Sequence, residues 1–411
     1  MGASCSMRLE QKFLCWTTAR EVFHYGWWMV VSFHFVMDLH LVAAQLAMVA
    51  VAQSAVALLF EVPAGVFADT IGRKWSVIVS ITLMAAAMIA TGFAFSFPIV
   101  LVTQIVWGIS WTFMSGADVA WVTDELGDPS RINGLLARLA RWQSFGAAGG
   151  LVVLTVLAVA VGRRDAIVVA GAAMLIVGAW VLWSVSERHV QRQATRVGQA
   201  AMRTLRDGIK VVRADRTMGL LLGVALLVNG ADDAFGRIYP ARLSNLGFPA
   251  STSGMFWFGA LNVGVLAATG FGMLLVQRWT TRERDSKRLL MLVCLVGVVG
   301  LGVLASGSLL VFGVIGVVIV GGLCTPLGRT IITIWVNQRC EGPSRATVHS
   351  FLAQAEYVAE IVLGLVIVAV ASVHGAAGAM VGAGVMLLAA AVLVMVLPAH
   401  HEADAKPLGG S

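Results

Sequence analysis

Eleven apolar runs divide this chain, and they limit the folds it can adopt more than any other feature of the sequence. About 20 mostly apolar residues suffice for one helix to cross the hydrocarbon core of a bilayer. The runs cover residues 44–67, 75–95, 98–122, 144–162, 166–186, 217–240, 252–277, 289–307, 309–334, 348–373 and 375–397. Only 12% of the 411 residues are charged and 58% are hydrophobic, whereas about 25% are charged in a typical soluble domain. This composition excludes a soluble, disordered or fibrous protein and predicts an all-α polytopic membrane protein.

A twelfth span is expected before residue 44, where the apolar signal is weakest. Either Phe13–Phe35 crosses the membrane with Arg20 and Glu21 inside it, or Val22–Val42 crosses with Asp38 near one end. No cleavable signal peptide fits this region, because no short apolar core is followed by a small-residue cleavage site.

Basic residues predict the orientation of the spans, because Lys and Arg accumulate in cytoplasmic loops. With twelve spans and a cytoplasmic N-terminus, 23 of the 29 Lys and Arg residues lie on the cytoplasmic side and four lie outside. The four are Arg163, Arg164, Arg237 and Arg242. The same loops account for the net charge of +7, so no nucleic-acid partner is expected. An eleven-span chain with one terminus outside stays open, because the termini carry little charge.

The two halves of the chain repeat. Gly108, Trp121-Val122 and Pro129-Ser130-Arg131 recur at one offset of 214 residues as Gly322, Trp335-Val336 and Pro343-Ser344-Arg345. This repeat predicts two six-helix bundles related by a parallel pseudo-twofold axis, with the binding cavity at their interface. The predicted units are a bundle over residues 1–186, a cytoplasmic linker over 187–216, a bundle over 217–397 and a cytoplasmic tail over 398–411. Within the linker, apolar residues at three- and four-residue spacing predict an amphipathic helix over Ala200–Arg216.

The loop between the second and third spans carries a spaced motif made of Gly65, Asp69, Gly72, Arg73 and Lys74. The glycines permit close helix approach and a tight turn, and the aspartate can accept from a helix N-terminus or a basic partner. An ordinary basic loop would account for Arg73 and Lys74 but not for the glycines and the aspartate at this spacing.

This motif resembles the loop signature of the major facilitator superfamily. Further segments are similar to the bacterial multidrug and antibiotic-efflux branch of that superfamily: Ser115–Asp118, Ala120–Leu126, Asn229-Gly230 with Phe235–Arg237, and Arg345–Thr347. Two features depart from the antiporter pattern. Gln104 stands where that branch usually has an arginine, and the glycine-rich stretch from Gly146 to Gly150 has no proline.

The resemblance implies a secondary transporter that works by alternating access in a bacterial inner membrane, with both termini cytoplasmic. It also implies that Arg73 pairs with Asp124, at the cytoplasmic end of the fourth span, as a latch between access states. The implied activity is proton-coupled export of a small amphipathic molecule, such as a drug or natural product, by a monomer. Protons, the substrate and the lipid bilayer are the expected partners.

Carboxylates within the spans are candidates for substrate or proton binding. Inserting each carboxylate near the bilayer centre costs about 2.5–3.5 kcal/mol, so a carboxylate found there is expected to have a function. The candidates are Glu61, Asp118, Asp232, Asp233 and Glu356, with Arg237 one helical turn after Asp233 and Glu360 one turn after Glu356. The alternative for each is an internal ion pair or a hydrogen bond to backbone that a kink has freed. The 13 tryptophans favour interfacial belts or helix packing over a cavity wall for flat or cationic substrates.

Other classes of protein fit less well. Import of a small solute uses the same fold and differs only in direction. A sensor built on a transporter fold usually carries an extra soluble domain. A prenyl-transferring membrane enzyme would need a second acidic cluster besides Asp232-Asp233, and neither HExxH, GxSxG nor a P-loop occurs. The five cysteines show no metal-binding spacing, so we expect no metal and no cofactor.

Overall fold

The computed structural model describes residues 9–127, 129–187, 216–279, 283–339 and 344–397, and all regular structure in these residues is helical. The amphipathic helix expected over Ala200–Arg216 and the tail from residue 398 lie outside the described residues, except for Arg216 itself.

The first half contains seven helical segments: α1 (Leu9–Met37), α2 (Ala43–Thr70), α3 (Arg73–Gly92), α4 (Phe97–Met114), α5 (Ala117–Leu126), α6 (Pro129–Val161) and α7 (Arg163–Ser184). The second half contains α8 (Arg216–Asn245), α9 (Thr252–Trp279), α10 (Glu283–Ser306), α11 (Leu310–Val317), a π-helix (Val318–Cys324), α12 (Thr325–Arg339) and α13 (Ser344–Val396). We call residues 9–187 the N-terminal half and residues 216–397 the C-terminal half.

Ten segments of the described chain are long and apolar enough to cross a membrane. The last of them runs from Phe351 to Val396, and Gly375 interrupts it with non-helical backbone angles (φ 62°, ψ −158°). A helix of 46 residues is about twice the length that one crossing needs, so its two arms account for two crossings. With α1 added, the arrangement is consistent with the predicted twelve.

The first span corresponds to the earlier of the two alternatives. Helix α1 continues to Met37, and the chain turns at His40, whose φ is 53°. Arg20 and Glu21 therefore lie inside the helix, where their side chains approach to 3.6 Å and Arg20 is buried. Because the pair partly neutralises itself, a helix with two charged residues near its middle can pack within the bundle.

Close helix packing at equivalent glycines supports the repeat between the halves. A Cβ atom on Gly108 would lie 2.8 Å from Val56, so the fourth span packs tightly on α2. A Cβ atom on Gly322 would lie 2.8 Å from Ala268, so the corresponding span packs equally tightly on α9. The two glycines are 214 residues apart and play the same packing role in their halves.

Two spans deviate from regular helix. The fourth span breaks at Ser115-Gly116, where Gly116 adopts a left-handed conformation with φ 73°, so that α4 and α5 are separate helices. Within the predicted continuous span 98–122, this break was not expected. The span that contains Gly322 includes the seven-residue π-helix between α11 and α12.

The halves touch at one end of the bundle. We call this the Arg163 end and the opposite one the Arg73 end. Towards the Arg163 end, Phe33 packs on Phe258 with ring centroids 5.0 Å apart, and Arg163 Nη1 donates to the carbonyl of Ala250 at 3.1 Å. The bundle is therefore closed at the Arg163 end.

Candidate substrate cavity

A cavity of about 400 Å³ lies between the halves, where the repeat predicted it. Its wall in the N-terminal half is largely aromatic and apolar and includes His24, Trp28, Met29, Phe35 and Trp107. Its wall in the C-terminal half is polar and includes Asp232, Asp233, Arg237, Tyr239 and Asn262. A molecule bound here would contact both halves and would meet an apolar surface on one side and a charged one on the other.

Helix α8 places the charged groups on the polar wall. On this helix Asp232 lies one turn before Gly236, and Asp233 lies one turn before Arg237. The four residues therefore share one face of the helix. Arg237 Nε lies 3.2 Å from Asp233 Oδ1, which is the pair expected from the spacing. Arg329, on α12, donates from Nη1 to Asp232 Oδ2 at 3.0 Å. Both acids of the cavity wall therefore have an arginine partner.

Aromatic rings form the opposite wall. Trp107 is nearly parallel to His24, with a 7° interplanar angle and centroids 5.5 Å apart, and Trp28 meets Trp107 edge-on at 5.1 Å. The guanidinium of Arg237 lies 4.9 Å from the centroid of Trp28, across the boundary between the halves. The expected belt or packing role does not describe Trp28 and Trp107, which line the cavity. It suits Trp257, which is 60% exposed.

The remaining candidate acids do not line this cavity. Asp118 is buried in the first turn of α5, where its Oδ1 accepts from the backbone N–H of Val119 at 2.8 Å. Glu61, two residues before the proline inside α2, accepts a hydrogen bond from Ser115 at 3.3 Å. Glu356 accepts one from Asn229 at 2.6 Å. Of these three carboxylates, Asp118 accepts from a backbone N–H, whereas Glu61 and Glu356 accept from side chains of other helical segments or of the break between them.

Glu360 connects the halves directly. Ser54 Oγ on α2 donates to Glu360 Oε2 on α13 at 2.6 Å. A small void behind the main cavity is lined by Glu360 together with Asp233 and Arg237. Its position in the span and its spacing from Glu356 singled out this residue, but only the structure shows that it bridges the two bundles.

The loop motif joins helices within the N-terminal half. Arg73, the first residue of α3, donates from Nη1 to the carboxylate of Asp124 and, at 2.9 Å, to the carbonyl of Ala120. Lys74 lies beside the ring of Trp75, at 5.9 Å. The ion pair thus ties α3 to α5 at the Arg73 end.

Glu187 completes this cluster and was not identified from the sequence. Its Oε1 accepts from the backbone N–H of Arg73 at 2.8 Å, so a carboxylate occupies the N-terminus of α3. Gly72 makes room for it with φ 135°, since a Cβ atom there would lie 2.6 Å from Glu187 Oε2. Asp69, the motif's own carboxylate, is half-buried near the end of α2 with Gly65 one turn before it, and it has no hydrogen-bond partner among the described residues. Glu187 can reach this loop because it lies just after α7, where the chain between the two halves begins.

A buried amide replaces the arginine of the antiporter branch. Gln104 accepts from Gln53 Nε2 at 2.9 Å and donates to Thr91 Oγ1 at 3.1 Å. This network is uncharged and joins α2, α3 and α4, so the position contributes packing between helices and no charge to the cavity.

The Arg163 end is held by a charged network. Arg163 Nε donates to Asp38 Oδ2 at 2.8 Å, and His34 Nδ1 lies 2.6 Å from the same oxygen. Burial opposes ionisation of Asp38, but the hydrogen bonds from Arg163 and His34 outweigh it and lower the pKa of that carboxyl below its ordinary value. Asp38 thereby orients Arg163 toward Ala250 of the other half.

A helical bundle of two halves around a central cavity, with paired charges inside the spans, is an architecture typical of membrane transporters. The sequence model of the Major Facilitator Superfamily matches residues 22–362. The chain belongs to the Major Facilitator Superfamily.

Comparison with known proteins gives a sequence relative and solved structures of similar fold. The chain is 20% identical over 352 residues to YxaM of Bacillus subtilis (strain 168), an uncharacterized MFS-type transporter, covering 85% of this chain and 86% of YxaM. The fold is similar to the crystal structure of the nucleoside transporter NupG, with TM-score 0.72, 13% identity and coverage of 95% and 99% of the two chains. It is also similar to a D-xylose-proton symporter, with TM-score 0.72, 12% identity and coverage of 94% and 98%.

Proposed function

We propose that this chain is a secondary transporter that exports a small amphipathic molecule in exchange for protons. The observation that carries the proposal is the cavity itself, which both halves line and which the bundle closes at the Arg163 end. Rocking of the halves about a fixed central site is how such a bundle exposes the site to each side in turn. The proposed setting is a bacterial inner membrane with both termini cytoplasmic, which makes the Arg73 end the inner side.

The acids of the cavity wall are the proposed proton-binding groups. Asp232 and Asp233 lie next to the site where a substrate would bind, and each is held by an arginine. Protonation of either carboxylate would release its arginine, so proton uptake and rearrangement of the wall are coupled. Glu61 and Glu356 stay in the proposal only as groups that join helical segments, and Asp118 only as an acceptor for a backbone N–H in the first turn of α5.

Arg73 and Asp124 are the proposed latch, positioned by Gly65, Asp69, Gly72 and Lys74 around the loop. Because the pair lies within one half, it would set how α5 follows α3 as that half moves. The proposed latch therefore does not connect the two halves at the Arg73 end.

The test is movement of fluorescent dyes into inside-out membrane vesicles with an acidified lumen, with lipophilic cations and neutral antibiotics in the panel. We expect gradient-dependent uptake that Asp232→Asn or Asp233→Asn abolishes. Asp118→Asn, whose side chain does not line the cavity, serves as the matched acid-to-amide control. Absence of uptake of every compound by folded protein would contradict the export proposal, and unchanged uptake in both cavity variants would contradict the coupling role.

Import is the second candidate, since one of the similar solved structures is a D-xylose-proton symporter. The same vesicles in right-side-out orientation, with an acidic exterior, separate the two directions. Uptake that appears only in this orientation would replace export by import and leave the assignment of the cavity unchanged.

A further inference from the structure

We propose that the central cavity binds an uncharged, planar aromatic molecule that carries hydrogen-bond acceptors. This inference rests on the proposed transport function and specifies the class of substrate for the same cavity. Three properties of the cavity wall lead to it: the pairing of its charges, the geometry of its rings, and the N–H groups that have no partner.

The charges of the wall are already compensated. Asp232 is paired with Arg329 at 3.0 Å, and Asp233 is paired with Arg237 at 3.2 Å. A charged substrate would either displace one partner of a pair or stay without a counter-charge in the cavity, and both are costly. An uncharged substrate avoids both costs.

The face of Trp28, which could hold a cation, is occupied by the protein itself. The Arg237 guanidinium lies 4.9 Å from the centroid of Trp28, within the range of a cation–π interaction. A lipophilic cation would have to compete with this arginine for the ring. The wall therefore disfavours a cationic substrate at Trp28.

The remaining rings form a corner that suits a flat molecule. Trp107 is nearly parallel to its neighbour His24, and Trp28 stands at 83° to Trp107. A planar ligand can lie along Trp107 and meet Trp28 at its edge, and both are favoured arrangements of aromatic pairs. The volume of about 400 Å³ is near the lower end of the range for small-molecule sites, so the ligand is small.

The unpaired groups of the wall include two N–H donors, besides His24 Nε2, which donates or accepts according to its tautomer. Trp107 Nε1 and Arg237 Nη1 are buried and have no hydrogen-bond partner. Asn262 Oδ1, an acceptor of the same wall, already accepts from Tyr239 at 3.0 Å. Buried donors are normally paired, so an acceptor-bearing ligand would supply what the wall lacks. Because these two donors come from opposite halves, such a ligand would also join the halves.

Calorimetric titration of the protein in lipid nanodiscs tests the class directly, with heats from empty nanodiscs subtracted. The probes have similar shape and differ in polarity and charge: coumarin, dihydronaphthalene, N-methylquinolinium and a coumarin carboxylate. We expect coumarin to bind about tenfold more tightly than each of the others, the ratio expected for one neutral hydrogen bond at the upper end of its range. Equal or tighter binding of either ion or of dihydronaphthalene would overturn the proposal, and so would the absence of saturable coumarin binding.

Variants tie the binding to the donors. Trp107→Phe keeps a ring and removes the N–H, so coumarin affinity should fall about 3- to 10-fold while binding of dihydronaphthalene stays the same. Trp183→Phe is the matched control, because Trp183 is 85% exposed and outside the cavity. An unchanged coumarin affinity in Trp107→Phe would assign the acceptor contact elsewhere and overturn this part of the argument.

Arg237→Lys, which keeps the charge but loses the Nη1 donor, gives a second measurement if the tryptophan variant does not fold. We expect the same 3- to 10-fold loss of coumarin affinity in this variant, and an unchanged affinity would refute the role of the arginine donor. No proton gradient is present in these titrations. If the titrations show the expected coumarin selectivity but the vesicles show no dye transport, only the transport proposal is contradicted.

Discussion

Replacement of Gly259 by alanine should open the Arg163 end of the bundle. Gly259 on α9 faces Thr155 on α6, and the two belong to different halves. A Cβ atom at residue 259 would lie 2.1 Å from Thr155 Oγ1, 2.5 Å from Cγ2 and 2.8 Å from Cβ. Rotation of the threonine about χ1 cannot remove the overlap, because its Cβ atom does not move. The two helices must separate instead.

The size of the effect follows from the cost of overpacking, about 1–3 kcal/mol for an added methyl group in a closely packed site. That cost exists only while the Arg163 end is closed. The ratio of open to closed molecules at this end should therefore rise about 5- to 150-fold, since every 1.4 kcal/mol is a factor of about ten.

Distances between spin labels report the change. Labels at Phe95 and Ser253, both exposed near the Arg163 end and in different halves, would be read in a background without the five native cysteines. We expect the longer-distance population to grow in Gly259→Ala. Gly264→Ala is the matched control, because a Cβ atom at residue 264 of the same helix meets no atom within 4 Å. An unchanged distance distribution in Gly259→Ala, or an equal shift in the control, would refute the reasoning.

Three further predictions follow from single contacts. Gly150→Ala, whose Cβ would lie 2.2 Å from the carbonyl oxygen of Val22, should lower the thermal midpoint in detergent and cost about 1–3 kcal/mol, whereas Gly149→Ala should not; equal midpoints would contradict this. Asp38 has a lowered pKa, so its contribution is present above its ordinary pKa and lost only as the pH falls through the lower value. The closed Arg163 end should thus persist from pH 8 to 5 in spin-label distances, and Asp38→Asn should open it throughout this range; opening of the wild type by pH 5 would refute the argument. Glu360 adjoins the Asp233–Arg237 pair at the small void, so a proton on Glu360 would act on the same pair. Glu360→Gln should therefore flatten the pH dependence of dye transport, whereas Ser54→Ala should retain it, and a normal pH profile in Glu360→Gln would contradict this.

The spans were predictable because bilayer thickness fixes helix length, and apolar runs of that length are visible in the sequence. The first span was ambiguous since Arg20 and Glu21 interrupt its apolar signal. Their mutual approach to 3.6 Å and the burial of Arg20 become apparent only once the helix is packed. The break at Ser115-Gly116 was missed because apolar composition continues across it.

The cavity was predictable in place but not in detail. A carboxylate in a span has the same insertion cost whether it faces a cavity or a neighbouring helix, so the sequence could not separate Asp232 and Asp233 from Asp118. The rotation of α8 about its axis decides which acids face the cavity. The available signal in the sequence was that Gly236 and Arg237 follow the two acids by one turn and therefore share their face. Glu187 carried no signal, since it lies outside the motif that it completes.

The π-helix between α11 and α12 has a consequence for how this span tolerates changes in length. Each α-helical residue advances the chain by about 100° around the axis, whereas a π turn accommodates an additional residue without passing on that rotation. Deletion of one residue within Val318–Cys324 would let the segment revert to α-helix and keep the span continuous across the membrane. Insertion of one residue in the regular helix of α12 before Arg329 would instead turn that side chain about 100° away from Asp232. The π-helix can thus lose a residue without disturbing the span, whereas a change of length in the regular helix after it would rotate the side chains that follow.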